Sequence, residues 1–433
     1  MIKIEYEQYR LKNGIEVLLI PSDTTYSVTI KTFINFGSAL ESKEEMGISH
    51  FIEHLCSSST EKWPTKEKLS EVIEFNGGKA NAWTSKENIS YYINIPYNKI
   101  DFGIEYLSQV IFSPKFTKNS IEKEKLIILD ERSKNINDIG YRHAVYTSAI
   151  ISTENSGYTQ EIIGTEETIS SFKKNDICKK ISEIHDPSKI QILVVGKFEK
   201  DSAKTYIDKY FGNKASKHKP EQFPKESIKK SLINSKIDNQ SRLTSNIITF
   251  NTLSDIELTT KQEILFDTIV KLISGSQTSR LHKRLREKEG LLYNISCENL
   301  TYKPFGIIAI QYESLPNQFN KIFEIIIEEL KILVTHGISQ KELEHITEYT
   351  VNRNLVYYDN IHSYSKLISY PILNNKEFFD LEKMNKTIKE FKLEEINKTI
   401  KQYIKINELN SIAYGKINKN TNNIMQKVIE KAK

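Results

Sequence analysis

The sequence contains little cysteine, glycine and proline. It has 3 Cys, 16 Gly and 10 Pro among 433 residues, which excludes collagen-like and low-complexity chains. Cys56, Cys178 and Cys297 are odd in number and far apart, so they predict neither a disulfide framework nor a Cys-x-x-Cys metal site, and they favour a reducing compartment. Hydrophobic residues make up 38% of the chain, which is too many for a wholly disordered protein.

The chain also lacks a long apolar run, a leader-like start and a concentrated charge. No uninterrupted apolar stretch approaches the ~18–20 residues that a membrane helix needs. Residues 1–7 carry acids where a signal peptide is basic and then apolar. The 61 Lys+Arg and 56 Asp+Glu give a net charge of only +5, with no basic face. We therefore expect a soluble cytoplasmic protein with neither a membrane nor a nucleic acid as partner.

Strand-like and helix-like segments follow one another in a loosely similar order in the two halves. In the first half, apolar runs and alternation predict strands at 17–20, 28–33, 88–95 and 190–195. Helical spacing predicts helices from Gly47, at 99–112 and at 119–135. In the second half, strands are predicted at 242–250, 293–298 and 305–312, and helices at 260–274, 279–287, 317–335 and 339–355. This order predicts an α+β protein with two similar domains, each a largely antiparallel sheet with helices packed on one face.

The domain boundary is predicted from composition. Residues 214–236 are rich in lysine, contain two prolines and bury little, which is typical of a linker. We therefore expect an N-terminal domain at 1–213, a basic linker at 214–236 and a C-terminal domain at 237–433. Nucleic-acid binding by the linker is an alternative that rests on composition alone, because such charged runs are usually solvated.

The strongest chemical signal is the segment His50-Phe51-Ile52-Glu53-His54. On a helix, His50, Glu53 and His54 share one face, because residues at i, i+3 and i+4 point the same way. Two imidazoles one turn apart can bind one Zn²⁺ through neutral ring nitrogens, and the carboxylate between them can take a proton from an activated water. A motif with three fixed positions also occurs by chance, so a zinc site and a coincidence on an amphipathic helix both stay open.

A third ligand is the next requirement, since catalytic zinc sites commonly have three protein ligands and one position for water. In the predicted helix 119–135, Glu124 and Glu131 are seven positions apart and lie on one face, next to apolar residues. An acid on the apolar side of a helix costs free energy unless it is paired or ligated. The alternative is that both are solvated and pair with neighbouring lysines, and spacing alone does not decide between these.

The segment is the inverted zinc motif HxxEH, and its surroundings resemble the M16 family of zinc metallopeptidases, which includes pitrilysin, insulin-degrading enzyme and mitochondrial processing peptidase. The single-half M16B-like subunits are the branch that it resembles most. The resemblance implies the LuxS/MPP-like metallohydrolase fold, with His50, His54 and Glu131 as the ligands of one Zn²⁺ per subunit and Glu53 as general base. Glu131 follows His54 by 77 positions (131 − 54), a spacing similar to that of the family's third ligand. Glu124 is implied to orient a ligand histidine.

Two further segments extend the resemblance. Residues 77–87 match the family's GG-x-x-NAxTxxE segment, which implies that Asn81 and Ala82 lie on an edge strand to which the substrate main chain adds. Without the resemblance, Asn81 would be interpreted as a turn residue. Arg286 and Tyr293 match the REKxGLxY signature, which implies that they hold the substrate and stabilise charge at the attacked carbonyl. Without the resemblance, Arg286 would be interpreted as a solvated surface charge.

The chain departs from the family pattern directly after the zinc motif. Residues 55–60 read LCSSST, where the family usually has bulky residues followed by Gly-Thr. The ligands are unchanged, so the departure concerns the neighbouring pocket and the substrate preference. Cys56 points away from the ligand face of the helix, so we expect it to pack in the core rather than to act as a fourth ligand.

The resemblance implies a zinc-dependent metalloendopeptidase that hydrolyses peptides or unfolded polypeptide segments in a chamber formed by two subunits. Arg286 and Tyr293 would then act from the partner subunit, in a homodimer or in a heterodimer with a related subunit. The alternative is a non-catalytic scaffold or partner subunit of a heteromeric M16-type peptidase. The presence of both the zinc motif and the Arg/Tyr pair in one chain favours a self-sufficient homodimer.

Overall fold

The computed structural model describes residues 5–153, 156–219, 222–292, 294–359, 361–374 and 376–432. They form two compact units, one from the described residues within 1–134, 156–224 and 358–375 and the other from those within 135–155, 225–357 and 376–433. Each unit has its own sheet, so the predicted α+β class with two sheets is confirmed. No helix in the described part of the chain is both long and apolar enough to cross a membrane.

The helices, in chain order, are α1 Ile48–Cys56, α2 Lys66–Phe75, α3 Ile100–Phe112, α4 Lys118–Asn137, α5 Ile139–Ile151, α6 Glu166–Ser171, α7 Lys174–Ile184, α8 Lys200–Ile207, α9 Thr260–Ser274, α10 Arg280–His282, α11 Phe319–His336, α12 Gln340–Tyr357, α13 Ile361–Leu373, α14 Leu381–Glu390, α15 Leu393–Tyr403 and α16 Thr421–Ala432. A π-helical turn, Lys283–Lys288, continues α10. The described residues within 135–155, from the N-terminal half of the sequence, belong to the second unit, and those within 358–375, from the C-terminal half, belong to the first. Helix α5 packs on the second sheet, and α13 packs on the first.

The first unit is built on a six-stranded sheet. Its strands are β1 Glu7–Arg10, β2 Glu16–Pro21, β3 Ser27–Ile34, β4 Lys79–Thr84, β5 Ile89–Pro96 and β6 Ile190–Gly196. They lie in the order β1-β2-β6-β3-β5-β4, in which β2 and β6 are parallel and the other neighbours are antiparallel. Every residue of β6 is buried, whereas β4 lies at the edge and alternates between exposed and half-buried residues. The edge position leaves one side of β4 without a neighbouring strand in the described sheet.

The second unit repeats this topology with five strands. They are β7 Ile233–Ile237, β8 Thr244–Thr252, β9 Ile295–Thr301, β10 Gly306–Ser314 and β11 Asn410–Gly415, in the order β7-β11-β8-β10-β9. Its single parallel pair among the described strands, β7 with β11, corresponds to β2 with β6 of the first sheet. The strand order and directions from β7 to β9 therefore match those from β2 to β4, as the repeated sequence pattern predicts.

Helices α1 and α3 pack on the first sheet through apolar stripes. In α1, Ile48, Phe51, Ile52 and Leu55 are buried and follow the i, i+3, i+4, i+7 spacing of a helix face. Helix α3 approaches the sheet closely at Gly103, where a Cβ atom would lie 2.7 Å from Cδ1 of Ile30 on β3. This packing fixes α1 beside the edge strand β4, with its polar face left for the functional residues.

Candidate metal centre

Helix α1 begins at a tight crossing of two backbone segments. Its N-cap, Gly47, has φ +90°, and a Cβ atom there would lie 2.7 Å from Cα of Gly164. Gly164 also has a positive φ, and its carbonyl oxygen accepts a hydrogen bond of 2.9 Å from Nε of Arg132 on α4. The crossing therefore needs glycine on both sides, and it links the start of α1 to helix α4.

The structure brings His50 and His54 of α1 together with Glu131 of α4. One ligand atom from each residue lies within 4.8 Å of the others. Glu131 Oε1 is 3.7 Å from His50 Nε2, and Glu131 Oε2 is 3.5 Å from His54 Nε2. The two imidazole rings are 4.6 Å apart, as the i, i+4 spacing requires.

The donor set and its spacing fit a zinc ion. Two imidazole nitrogens and one carboxylate oxygen are typical of catalytic zinc sites. Separations of 3.5 and 3.7 Å are too long for hydrogen bonds but are close to the ~3.3 Å that separates two ligand atoms each ~2.0–2.1 Å from a tetrahedral ion. Glu131 keeps 41% of its side-chain surface exposed, which leaves the group open to solvent on one side.

His54 is oriented by a buried acid on α4. Its Nδ1 lies 2.8 Å from Oε1 of Glu124, whose side chain is 8% exposed. Because the carboxylate accepts, the hydrogen bond fixes the proton of His54 on Nδ1 and leaves the lone pair of Nε2 facing the metal position. Ser58 donates to the carbonyl oxygen of His54 at 2.7 Å, and its hydroxyl lies 3.4 Å from Oε2 of Glu124.

Glu53 is held by the last residue of the edge strand. The hydroxyl of Thr84 donates a 2.7 Å hydrogen bond to Oε2 of Glu53, whose residue is 8% exposed. On β4, Thr84 shares a face with Ala80 and Ala82, because side chains alternate along a strand. The face of the edge strand that carries Ala82 is therefore the face directed towards α1.

Burial and charge shift the pKa values of His50, Glu53 and His54 in different directions. Burial, with a smaller contribution from His54, lowers the pKa of His50 to about 3, so its nitrogens are neutral at pH 7. Burial also acts to lower the pKa of His54, but the hydrogen bond with Glu124 and the charges of Glu53, Glu124 and Glu131 outweigh it and raise that pKa. Burial raises the pKa of Glu53, and the Thr84 hydrogen bond opposes this rise. A raised carboxyl pKa is the usual property of a general base that works near neutral pH.

The other residues singled out in the sequence lie in different places. Asn81 and Ala82 lie on β4, and Asn81 Oδ1 accepts a 2.9 Å hydrogen bond from the backbone N–H of Ala82. Arg286 lies in the π-helical turn of the second unit, with 39% of its side chain exposed and Glu287 at 3.9 Å. Tyr293 lies outside the described residues. Cys56 is fully buried, as expected for a packing residue.

Thr84 and Ser58 are the contacts that sequence reasoning did not identify. Thr84 belongs to the segment that matches the family pattern, and its strand spacing from Ala82 was the available signal. Ser58 follows His54 by one helical turn, within the segment that departs from the family pattern. Neither position in the sequence indicates that Thr84 contacts Glu53 or that Ser58 lies near Glu124, because each acid belongs to another element of the fold.

Comparisons with known proteins place this chain in a family. Residues 16–159 match the model of Insulinase (Peptidase family M16), and residues 171–348 match the Peptidase M16 inactive domain. The uncharacterized zinc protease YmxG of Bacillus subtilis is 30% identical over 347 residues, which cover 79% of this chain and 82% of that protein. The chain belongs to peptidase family M16. Zinc is the metal named for the relative YmxG, and the His50-His54-Glu131 group of the M16 chain could hold a metal ion.

Solved structures share the fold of the M16 chain. A protease from Helicobacter pylori superposes with a TM-score of 0.84 at 19% identity, covering 95% of this chain and 99% of that structure. The first half of the periplasmic protease PqqL from Escherichia coli gives a TM-score of 0.79 at 17% identity, covering 99% of this chain and 96% of that structure. In the longer PqqL structure, the match covers 100% of this chain and 50% of the PqqL chain. The M16 chain therefore has the fold of one PqqL half.

Proposed function

We propose that this chain is a zinc-dependent metalloendopeptidase that hydrolyses peptides or unfolded polypeptide segments. The observation that carries the proposal is that His50 and His54 of α1 meet Glu131 of α4 within 4.8 Å. The face of α1 that carries the two histidines also presents Glu53. Its relative YmxG is named a zinc protease, which supports the same chemistry here. The proposal includes one zinc ion per chain.

Each residue of the centre has a defined task in the proposed reaction. His50 and His54 would hold the ion through Nε2, and Glu131 would hold it through a carboxylate oxygen. When bound, zinc supplies Lewis-acid polarisation of the scissile carbonyl and makes a water molecule more acidic. The Glu53 carboxylate would take a proton from the attacking water and would pass it to the leaving nitrogen. Glu124 keeps the proton of His54 on Nδ1, and Thr84 holds Glu53 by its Oε2 atom.

Substrate binding is proposed to occur by strand addition to β4. This strand has only β5 as a neighbour in the described sheet, and it ends at Thr84, which contacts the proposed base. A peptide that pairs with β4 through its main chain would pass along the face of Ala82 and beside α1. Main-chain pairing needs no particular side chain, which fits peptides and unfolded segments as a substrate class.

The proposed enzyme is a dimer in which two chains form the substrate chamber. Each chain has the fold of one PqqL half, and that longer chain joins two halves. Arg286 and Tyr293 are proposed to hold the substrate from the partner subunit, as guanidinium and phenol groups can stabilise a developing oxyanion. Mixing Glu53→Gln chains with Tyr293→Phe chains should then restore part of the activity, because one of the two sites becomes complete. Absence of rescue would contradict shared sites.

A non-catalytic partner subunit is the second candidate. The match of residues 171–348 to an inactive domain favours it, whereas the complete His50-Glu53-His54-Glu131 set favours catalysis. Cleavage of peptides by the pure chain without a second protein would exclude the partner role. The cytoplasmic compartment stays a prediction from the sequence.

Bound zinc and peptide cleavage, measured for the wild type and for Glu53→Gln, test the proposal. We expect the variant to keep zinc and lose cleavage, because it retains the three ligands but has no carboxylate base. Glu74→Gln is the matched control, since Glu74 is an exposed acid on α2. Undiminished cleavage by Glu53→Gln would contradict the proposed mechanism, and absence of cleavage by the wild type would favour the partner role.

A further inference from the structure

The two proposed histidine ligands are supported in different ways. His54 is oriented by Glu124, as described above. Nδ1 of His50, by contrast, is buried and has no hydrogen-bond partner among the described residues. Because no side chain orients this ring by hydrogen bonding, the position of His50 depends on the backbone of the first turn of α1. His50 is the third residue of that helix.

The first turn of α1 is held by a buried acid from the preceding segment. Glu41 is 5% exposed, and its Oε2 and Oε1 atoms accept hydrogen bonds of 2.7 and 2.8 Å from the backbone N–H groups of Gly47 and Ser49. The first N–H groups of a helix have no partner within the helix, and the N-cap Gly47 has no side chain to serve them. Glu41 therefore takes the place of a capping side chain.

The segment that carries Glu41 is itself fixed. The backbone N–H groups of Ser38 and Ala39 donate to the carbonyl oxygens of Ser85 and Lys86 at 3.1 and 2.8 Å. At Gly37, a Cβ atom would lie 2.6 Å from the backbone of Lys86, so the two segments are in close contact. Residues 85 and 86 directly follow Thr84, whose hydroxyl holds Glu53. The end of β4 thus supports the proposed base, and the turn that follows it supports the segment that holds α1.

Glu41 lies in an environment that disfavours its charged form. Burial raises the pKa of Glu41 to about 7, and the hydrogen bonds from Ser49 and Gly47, together with the Lys86 charge, oppose this rise. A buried charge lowers stability unless it is well hydrogen-bonded. If capping the helix were its only role, a smaller polar side chain such as serine or asparagine would be sufficient.

We propose that Glu41 is a positioning residue that holds the first turn of α1 so that His50 meets Glu131 at metal-binding distance. The proposal rests on the proposed metal site, and it concerns metal affinity rather than folding alone. A residue that hydrogen-bonds a metal ligand directly typically contributes about ten- to hundredfold to metal affinity, and we expect Glu41, which acts through the backbone, to lie at the low end of that range.

Zinc affinity of Glu41→Gln, measured by competition with a chelator in metal-free protein, tests this role. The control is Asp186→Asn. Asp186 is also a buried acid that accepts backbone N–H groups, from Ser188, Lys217 and His218, and none of its hydrogen bonds in the described chain reaches α1 or α4. We expect both variants to unfold at lower temperature, but only Glu41→Gln to bind zinc about tenfold or more weakly. The absorption spectrum of bound Co²⁺ should change in the same variant only.

Three results would overturn the role of Glu41. One is equal zinc affinity in Glu41→Gln and the wild type. Another is an equal loss of affinity in Asp186→Asn, which would make the effect one of stability. If Glu41→Gln does not fold, hydrogen exchange of the Gly47 and Ser49 amides in the metal-free wild type decides: slow exchange supports the cap and fast exchange contradicts it. A wild type that binds no zinc would instead contradict the proposed function itself.

Discussion

Replacement of Glu124 separates the support of a ligand from the ligand itself. Glu124 does not belong to the group of three ligand atoms, but it holds Nδ1 of His54 at 2.8 Å in a site where its side chain is 8% exposed. A hydrogen bond to a charged group contributes about 1.5–3 kcal/mol. At about 1.4 kcal/mol per tenfold, its loss corresponds to about a ten- to hundredfold weaker zinc affinity.

Two variants of Glu124 should lose zinc affinity to different extents. Glu124→Gln keeps an oxygen that accepts from Nδ1–H, so we expect about a tenfold loss of zinc affinity, at the low end of the range. Glu124→Ala removes the acceptor, so we expect a loss nearer to about a hundredfold. The assay is competition with a chromophoric chelator, with thermal unfolding of the metal-free proteins measured in parallel. Glu122→Gln, an exposed acid of the same helix that pairs with Lys125, is the control. Zinc affinities of both Glu124 variants equal to that of Glu122→Gln would refute the reasoning.

Three further predictions concern the base, acid stability and the edge strand. Thr84→Val removes a hydrogen bond that lowers the pKa of Glu53, so the acid limb of the pH profile of kcat/KM should move to higher pH, with zinc retained. The control Thr84→Ser keeps the hydroxyl and should keep the wild-type profile. An unchanged acid limb in Thr84→Val would contradict the contact. Burial lowers the pKa of His185 to about 4, so on acidification the unfolded state binds this proton before the folded state does, and the group costs about 2 kcal/mol of stability at pH 5. In thermal unfolding of the metal-free protein, the loss of stability between pH 7 and pH 5 should be smaller in His185→Asn than in the exposed control His218→Asn. Equal losses in the two variants would count against this argument. Peptides with N-methylated backbone amides should bind to Glu53→Gln more weakly than unmodified peptides, and equal affinities would exclude pairing with β4.

Strands and helices with regular apolar spacing could be predicted from the sequence. The alternating or continuous apolar residues of β2, β3, β5 and β6 match the predicted strands, because a buried sheet imposes that pattern. Strand β11 could not be predicted in this way. Its residues, NSIAYG, are mostly small or polar, and they form a strand because β7 and β8 pair with them on both sides. Strand β7 begins inside the segment 214–236 that composition assigns to a linker.

The candidate site shows the same division. Helical spacing alone places His50, Glu53 and His54 on one face, since all three belong to one helix. Glu124 and Glu131 could be chosen only through the family resemblance, because spacing along α4 does not show which side faces α1. The contact of Thr84 with Glu53, and that of Glu41 with the first turn of α1, join residues that lie 31 and 6 or 8 positions apart. Such contacts depend on how the elements pack and have no periodic signal.

Zinc stoichiometry in Glu131→Gln tests the central claim most directly. Elemental analysis after dialysis should give one zinc ion per wild-type chain and much less in the variant, because an amide is a poor substitute for the carboxylate ligand of α4. Asp130→Asn on the same helix, where Asp130 is 66% exposed and pairs with Lys134, should bind zinc as the wild type does. Full zinc occupancy in Glu131→Gln, at wild-type affinity, would contradict a metal centre formed by His50, His54 and Glu131.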